Sequence, residues 1–379
     1  MPVIGTAQAL EIESQITTLL LQMALAEKIG QMTLVDKRAI TPEEVRDKSI
    51  GGVLSGGGAN PAINSPQQWL AMVESYLQSA RQSRLGIPLF YGVDAIHGHN
   101  NVKGAVIFPH NIGLGATRSP DLVERIGRIT AREVLATGVC WNFAPAAIVA
   151  HDIRWGRTYE SFGEDTALVT ALTLAYLRGL CNPEPSRGEV LPSVKHYVGD
   201  GGTTWDSRLP TRWLTAAGGQ EPTDRYMLDQ GDARIDERTL TELYMPPFAE
   251  AVKAGVLNIM VSHCSWNGTR LHGHRYLLTD VLKKRLGFEG FLVSDWGSLN
   301  YLDPDFYTCV VTALNAGIDM VMLPNHYQRF MDTLKTAVDN AAIPLERIDD
   351  GVRRILRAKF RVGLFEDAPA IPQWLDLVG

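Results

Sequence analysis

The segment "GFEGFLVSDWGSLN", residues 287–300, sets an apolar strand beside a carboxylate and an indole. Phe291, Leu292 and Val293 follow the Gly290 turn and read as a short strand buried on both sides. The strand then runs into Ser294, Asp295 and Trp296. An aspartate in this place can simply cap the next helix. What ends the other strands decides between that reading and a functional one.

Working outward, the same unit recurs: a helical stretch, a Gly or Pro turn, a short apolar strand, then polar residues. Strands are expected at 51–55, 88–93, 139–144, 191–196, 257–262, 290–294 and 318–323, with an eighth at 32–35 that could equally finish the first helix. The helix "SPDLVERIGRITAREVLATG" starts on Ser119 with Pro120 behind it and stops before Gly138, matching helix start and stop signals. Apolar strands alternating with helices indicate parallel strands covered on both faces. Seven or eight such units in 379 residues suit an α/β fold, a (β/α)8 TIM-like barrel with inserted loops. A doubly wound open sheet is the alternative, but no GxGxxG follows the first strands. Residues 201–231 carry no clear periodicity and read as a long loop, a class that is usually functional or mobile. The barrel is expected over 1–365, and 366–379, with its prolines, reads as a linker-like tail.

The composition is that of an ordinary globular chain, 45% hydrophobic and 21% charged, with a net charge of −6 that gives no attraction to nucleic acid or anionic membrane. No apolar run reaches the length of a membrane span. The N-terminus lacks the pattern of a signal peptide and reads as an amphipathic helix, which leaves a cytoplasmic protein and an exported mature form both open. The four cysteines, Cys140, Cys181, Cys264 and Cys309, form no CxxC pair and suit buried thiols.

The strand ends carry the chemistry. Asp94, Lys195 with His196, His263 and Asp295 each follow an apolar strand. In a β/α barrel those ends open on one face, where catalytic groups converge, and capping alone does not account for four of them. Two chemistries can use the set. In the first, His97 and His99 form an HxH which, with Lys195, His196, His263 and Asp295, loosely resembles a metal-dependent amidohydrolase barrel. There, however, the HxH ends the first strand and the Asp the last. In the second, a glycoside is cleaved: Asp94, Arg157, Lys195 and His196 read sugar hydroxyls, Asp295 attacks the anomeric carbon and Trp296 walls the site. Lys195 or Arg157 nearby would keep Asp295 ionised.

The motifs "GVDAIHGHNNVKGAVIFPHNIGLGAT" at 92–117, "RWGRTYESFGED" at 154–165, "SVKHYVGDGGTT" at 193–204, "IMVSHCSWNGTRLHGH" at 259–274 and "GFLVSDWGSLNY" at 290–301 closely resemble glycoside hydrolase family 3, in family order. The form of the KH motif looks most like the β-glucan exohydrolases and bacterial β-glucosidases of that family. The resemblance implies a retaining mechanism on β-glucosides or β-glucan oligosaccharides, with no metal or other cofactor. It makes Asp295 the nucleophile, and Asp94, Arg157, Lys195 and His196 the binders of the innermost sugar. Trp296 becomes the aromatic beside the nucleophile. His263 stands where the exohydrolases have Tyr in "SYSSWNG", and Tyr301 where Arg is common. Trp141, Trp155 and Trp266 read as core, and "ESFGED" as a loop in which Glu160 or Glu164 bonds backbone amides or Arg157.

Two-domain members draw the general acid/base from a second α/β domain. Single-domain members acting on N-acetylglucosaminides use an Asp-His pair in a "DSH" sequence. Here "WDSRLP" places Arg208 where that His would be, and Arg cannot exchange a proton near neutral pH. Asp206, Glu221 and Asp229 in the long loop are the candidates within the chain, with a second domain or a neighbouring chain as other sources. An N-acetylglucosaminidase-like member and a non-catalytic sugar-binding barrel are the alternatives to a β-glucosidase.

Overall fold

The computed structural model describes residues 5–182, 190–210, 228–366, 375–376 and 378–379. Eight parallel strands close into a ring: β1 (Thr33–Asp36), β2 (Gly52–Ser55), β3 (Phe90–Val93), β4 (Trp141–Asn142), β5 (Leu191–Pro192, continuing as Val194–Tyr197), β6 (Asn258–Val261), β7 (Phe291–Val293) and β8 (Val321–Leu323). Each pairs with its sequence neighbour, β1 pairs with β8 through Thr33 and Val321, and the Val293–Met320 bridge joins β7 to β8. The chain is therefore a (β/α)8 TIM-like barrel, and all eight expected strands form it, the eighth being Thr33–Asp36. The paired segments are shorter than the expected runs, as in β4, which is Trp141–Asn142 against an expected 139–144.

Alternation along the strands fills the interior. Phe90, Trp141 and Phe291, from β3, β4 and β7, meet across it with ring centroids 5.4–5.8 Å apart. Gly92 leaves room for Phe143, since a Cβ there would stand 2.5 Å from the ring. The period of two carries the same faces onward. Phe90, Gly92 and Asp94 share one side of their strand, and Phe291, Val293 and Asp295 share one side of theirs. Both carboxylates thus follow core-facing residues to the carboxyl end of the barrel. The opposite end is closed by Lys359, which is fully buried, donates to Gln31 Oε1 at 2.6 Å and lies 5.3 Å over the Phe90 ring.

The helical layer follows local signals. Ser119 Oγ caps the helix Pro120–Ala136 by accepting from Leu122 N, and Gly138 takes the left-handed turn after it at φ 79°. Asp305 caps Phe306–Ala316 by accepting from Thr308 N at 3.0 Å. That helix follows β7, so the capping task after the opening segment falls to Asp305 and not to Asp295. The two aromatics Trp141 and Trp155 are buried as expected, and Trp266 is packed with Nε1 donating to Ile235 O.

Candidate active site

The carboxyl ends of β3 to β7 hold one connected set of polar side chains. Asp295, two residues beyond the end of β7, is largely buried. Its Oδ1 accepts from Trp296 N at 2.6 Å, and its backbone N donates to His272 Nε2 at 3.1 Å. Its Oδ2 faces His263 Nε2 at 3.6 Å and His196 Nε2 at 3.7 Å. Both distances exceed a hydrogen bond, which leaves Oδ2 the less engaged oxygen.

His196 is fixed at both nitrogens. Nδ1 donates to Asp200 Oδ2 at 2.8 Å, and Arg157 Nη2 donates to Nε2 at 3.3 Å. Asp200 is held in turn by the Ser262 hydroxyl. Arg157 makes a two-bond pair with Glu160, at 2.7 and 2.9 Å. Of the two acids offered by "ESFGED", Glu160 is thus the partner of Arg157. Burial acts to raise the Glu160 pKa, yet the guanidinium outweighs it and holds the carboxyl at about 2. Lys195 is buried and donates from Nζ to Asp94 Oδ1 at 2.5 Å. Adjacent strand residues normally point to opposite faces. Here the register between β5 and β6 is irregular from Val194 to Tyr197, and both Lys195 and His196 reach the site.

Burial alone would raise the pKa of Asp295. The charges of His263 and His196, when protonated, and of Arg157 act against it, with the Trp296 amide, and the carboxyl is held far below the usual range. Burial pushes His263 itself below the ordinary histidine value, so Arg157 is the permanent cation of the set. Of the two cations expected to keep Asp295 ionised, Arg157 acts in this way, while Lys195 is bonded to Asp94.

Trp296 is 38% exposed and stands at the rim, its ring against Gly56, where a Cβ would lie 2.8 Å from ring Cη2. Asp36, at the end of β1, accepts from Gly56 N and from Arg38 and so shapes the loop under that ring. Asp229 is partly buried, its Oδ1 accepts from Trp155 Nε1 at 3.2 Å, and its charge bears on His263. Asp206 is exposed in a left-handed turn at φ 52°. Glu221 lies outside the described residues.

The HxH pair turns to other tasks. His97 Nδ1 bonds Phe108 O, and its ring meets His110 at a tilt, with centroids 4.2 Å apart. His99 is fully buried against Thr137 Oγ1, and that burial lowers its pKa to about 3. Both therefore belong to the packing of their own loop against the helix layer, which is a geometric departure from the amidohydrolase arrangement. Among the described residues, no three or more His, Cys, Asp or Glu side chains gather in a metal-holding group. Sequence reasoning missed Asp36, Asp200 and His272. Asp200 follows His196 by four residues inside "KHYVGD", and that spacing was the available signal.

The carboxyl end of this parallel barrel thus gathers an under-bonded aspartate, an Arg–Glu pair, a Lys–Asp pair and an exposed indole. The sequence pattern described as "Glycosyl hydrolase family 3 N terminal domain" matches residues 24–358, and the chain belongs to that family. It is 31% identical over 365 residues to a periplasmic β-glucosidase of Salmonella typhimurium, covering 93% of this chain and 42% of that protein. It is 33% identical to a lysosomal β-glucosidase of Dictyostelium discoideum, covering 93% and 44%. An exo-1,3/1,4-β-glucanase structure from a Pseudoalteromonas species superposes with a TM-score of 0.85 at 38% identity, over 96% of this chain and 45% of that one. The chain thus spans less than half the length of these relatives. Among the described residues, no helix is long and apolar enough to cross a membrane.

Proposed function

We propose that this chain is the catalytic barrel of a retaining β-glucosidase or exo-β-glucanase, acting on non-reducing-end β-glucosyl residues. The observation that carries the reading is Asp295. It is ionised, is held through Oδ1 by the Trp296 amide, and keeps Oδ2 under-bonded at the carboxyl end of β7. A nucleophilic carboxylate needs this arrangement: charged, immobile and with one oxygen open to the anomeric carbon. Lys195, Asp94, Arg157 and His196 offer donors and acceptors suited to sugar hydroxyls, and Trp296 offers an apolar face. His263 lines the same pocket from β6. The names of the most similar relatives, β-glucosidases and a β-glucanase, support a β-glucoside substrate, while β-xylosidases stand among the others.

For the general acid/base, Asp229 is the best-placed described candidate, because it is partly buried on the loop after β5, is held by Trp155 Nε1 and its charge acts on His263. Asp206 is exposed and less suited, and a carboxylate from a second domain or a neighbouring chain remains the other source. We take residues 1–365 as the barrel and 366–379 as an extension from it.

The test is stereochemical. Proton NMR of the first-formed sugar from 4-nitrophenyl β-glucoside should show the β-anomer before mutarotation. An initial α-anomer would mean direct displacement by water and would remove Asp295 from the covalent role.

A further inference from the structure

His263 stands beside the less engaged oxygen of Asp295. The surroundings of Oδ2 are uneven. His196 has both nitrogens engaged, by Asp200 and by Arg157. His272 Nε2 already accepts from the Asp295 backbone. His263 has Nε2 at 3.6 Å from Oδ2 and a buried Nδ1 with no hydrogen-bond partner among the described residues. Its ring meets Tyr301 edge-on at 5.2 Å and lies 5.8 Å from His272. Of the three histidines around the nucleophile, His263 is therefore the one free to take up a proton without breaking a bond.

We propose that His263 gates attack by Asp295, leaving Oδ2 free when its imidazole is neutral and capturing Oδ2 in an ion pair when it is protonated. This rests on the reading of Asp295 as nucleophile. In the open state Oδ2 forms a bond to the anomeric carbon as the bond to the leaving oxygen breaks, and the electron pair departs with that oxygen. An imidazolium competes for the same lone pair. The gap of 3.6 Å exceeds a charge-assisted N–H···O bond of about 2.7–2.9 Å by a distance that a small ring movement closes.

The groups facing His263 set where the gate operates. Burial lowers its proton affinity, Asp295 and Asp229 raise it, and His196 and Arg157 lower it further. Tyr301 and His272 complete the shell, with Arg270 over the Tyr301 ring at 5.6 Å. The net direction is downward, so the gate closes on the acid side of the ordinary histidine range. Asp295 titrates lower still, and its own protonation comes later as pH falls.

The test is the pH profile of kcat/KM on 4-nitrophenyl β-glucoside for the wild type, His263→Tyr and His263→Phe. The wild type should lose about tenfold per pH unit below the gate. Both variants should carry that limb to lower pH, and a limb shared by all three proteins overturns the proposal. Histidine NMR provides a second readout that does not depend on turnover: the His263 midpoint should fall in Asp295→Asn, which removes the neighbouring anion. An unchanged midpoint also overturns the gate. A wild type that cleaves no glycoside at any pH would refute the glucosidase reading, while the NMR comparison would still decide whether His263 and Asp295 are coupled.

Discussion

The two oxygens of Asp295 have different tasks. Oδ1 is fixed by the neighbouring amide at 2.6 Å, and Oδ2 looks into the pocket between two imidazoles. Such asymmetry aims a carboxylate without consuming it. Arg157, paired with Glu160 and bonded to His196, supplies positive potential without forming a direct bond that would blunt the attacking oxygen. The acid/base is assigned at the same scale. A nitrophenolate leaves with little help, whereas a sugar alkoxide needs a proton, and general-acid assistance is worth about 10²–10⁴-fold. Asp229→Ala should therefore lose most activity on laminaribiose while keeping it on 4-nitrophenyl β-glucoside, and Asp206→Ala should change neither. Equal losses on both substrates in Asp229→Ala would assign that residue to holding Trp155 in place.

The elements show why some of this was legible in the sequence. Apolar runs with helices between them indicate strands covered on both faces, so seven strands and the barrel class were legible, while the strand Thr33–Asp36 was expected at 32–35 with the end of the first helix as its alternative. Residues next to those runs, Asp94, Lys195, His196, His263 and Asp295, were legible for the same reason. Asp200 and His272 were not, because they enter from turns whose direction no periodicity encodes. The HxH spacing could not decide by itself, because a spacing suited to metal ligands equally suits two loop residues making buried hydrogen bonds, here to Phe108 and Thr137. Capping was readable by chemistry but had to be assigned by position: Asp305 accepts from Thr308 N and from its hydroxyl, at 3.0 and 2.8 Å. Asp305→Ala should cost about 1 kcal/mol in urea denaturation with kcat unchanged. A loss of activity without a loss of stability would show that the segment after β7 acts on the site.

At the scale of the whole molecule, the barrel has a reactive end and a closed end, and charge is buried at both. Lys359 closes the far end, where burial lowers its pKa to about 7. The unfolded chain then binds more protons than the folded one between about pH 7 and the usual lysine range, so this residue makes stability rise with pH across that window, by up to about 1.4 kcal/mol per unit. Lys359→Met should flatten that rise relative to the wild type in urea midpoints measured from neutral to alkaline pH. Parallel curves would mean that Lys359 keeps its proton in the fold. At the reactive end, the account depends on a covalent bond to one oxygen of one residue. Incubation with a 2-fluoro β-glucoside bearing a good leaving group, followed by peptide mass mapping, tests this most directly, since fluorine slows breakdown of the glycosyl-enzyme more than its formation. A 2-fluoroglucosyl adduct is expected on Asp295 and absent in Asp295→Ala; an adduct on another residue, or turnover undiminished in Asp295→Ala, would rule Asp295 out as the nucleophile.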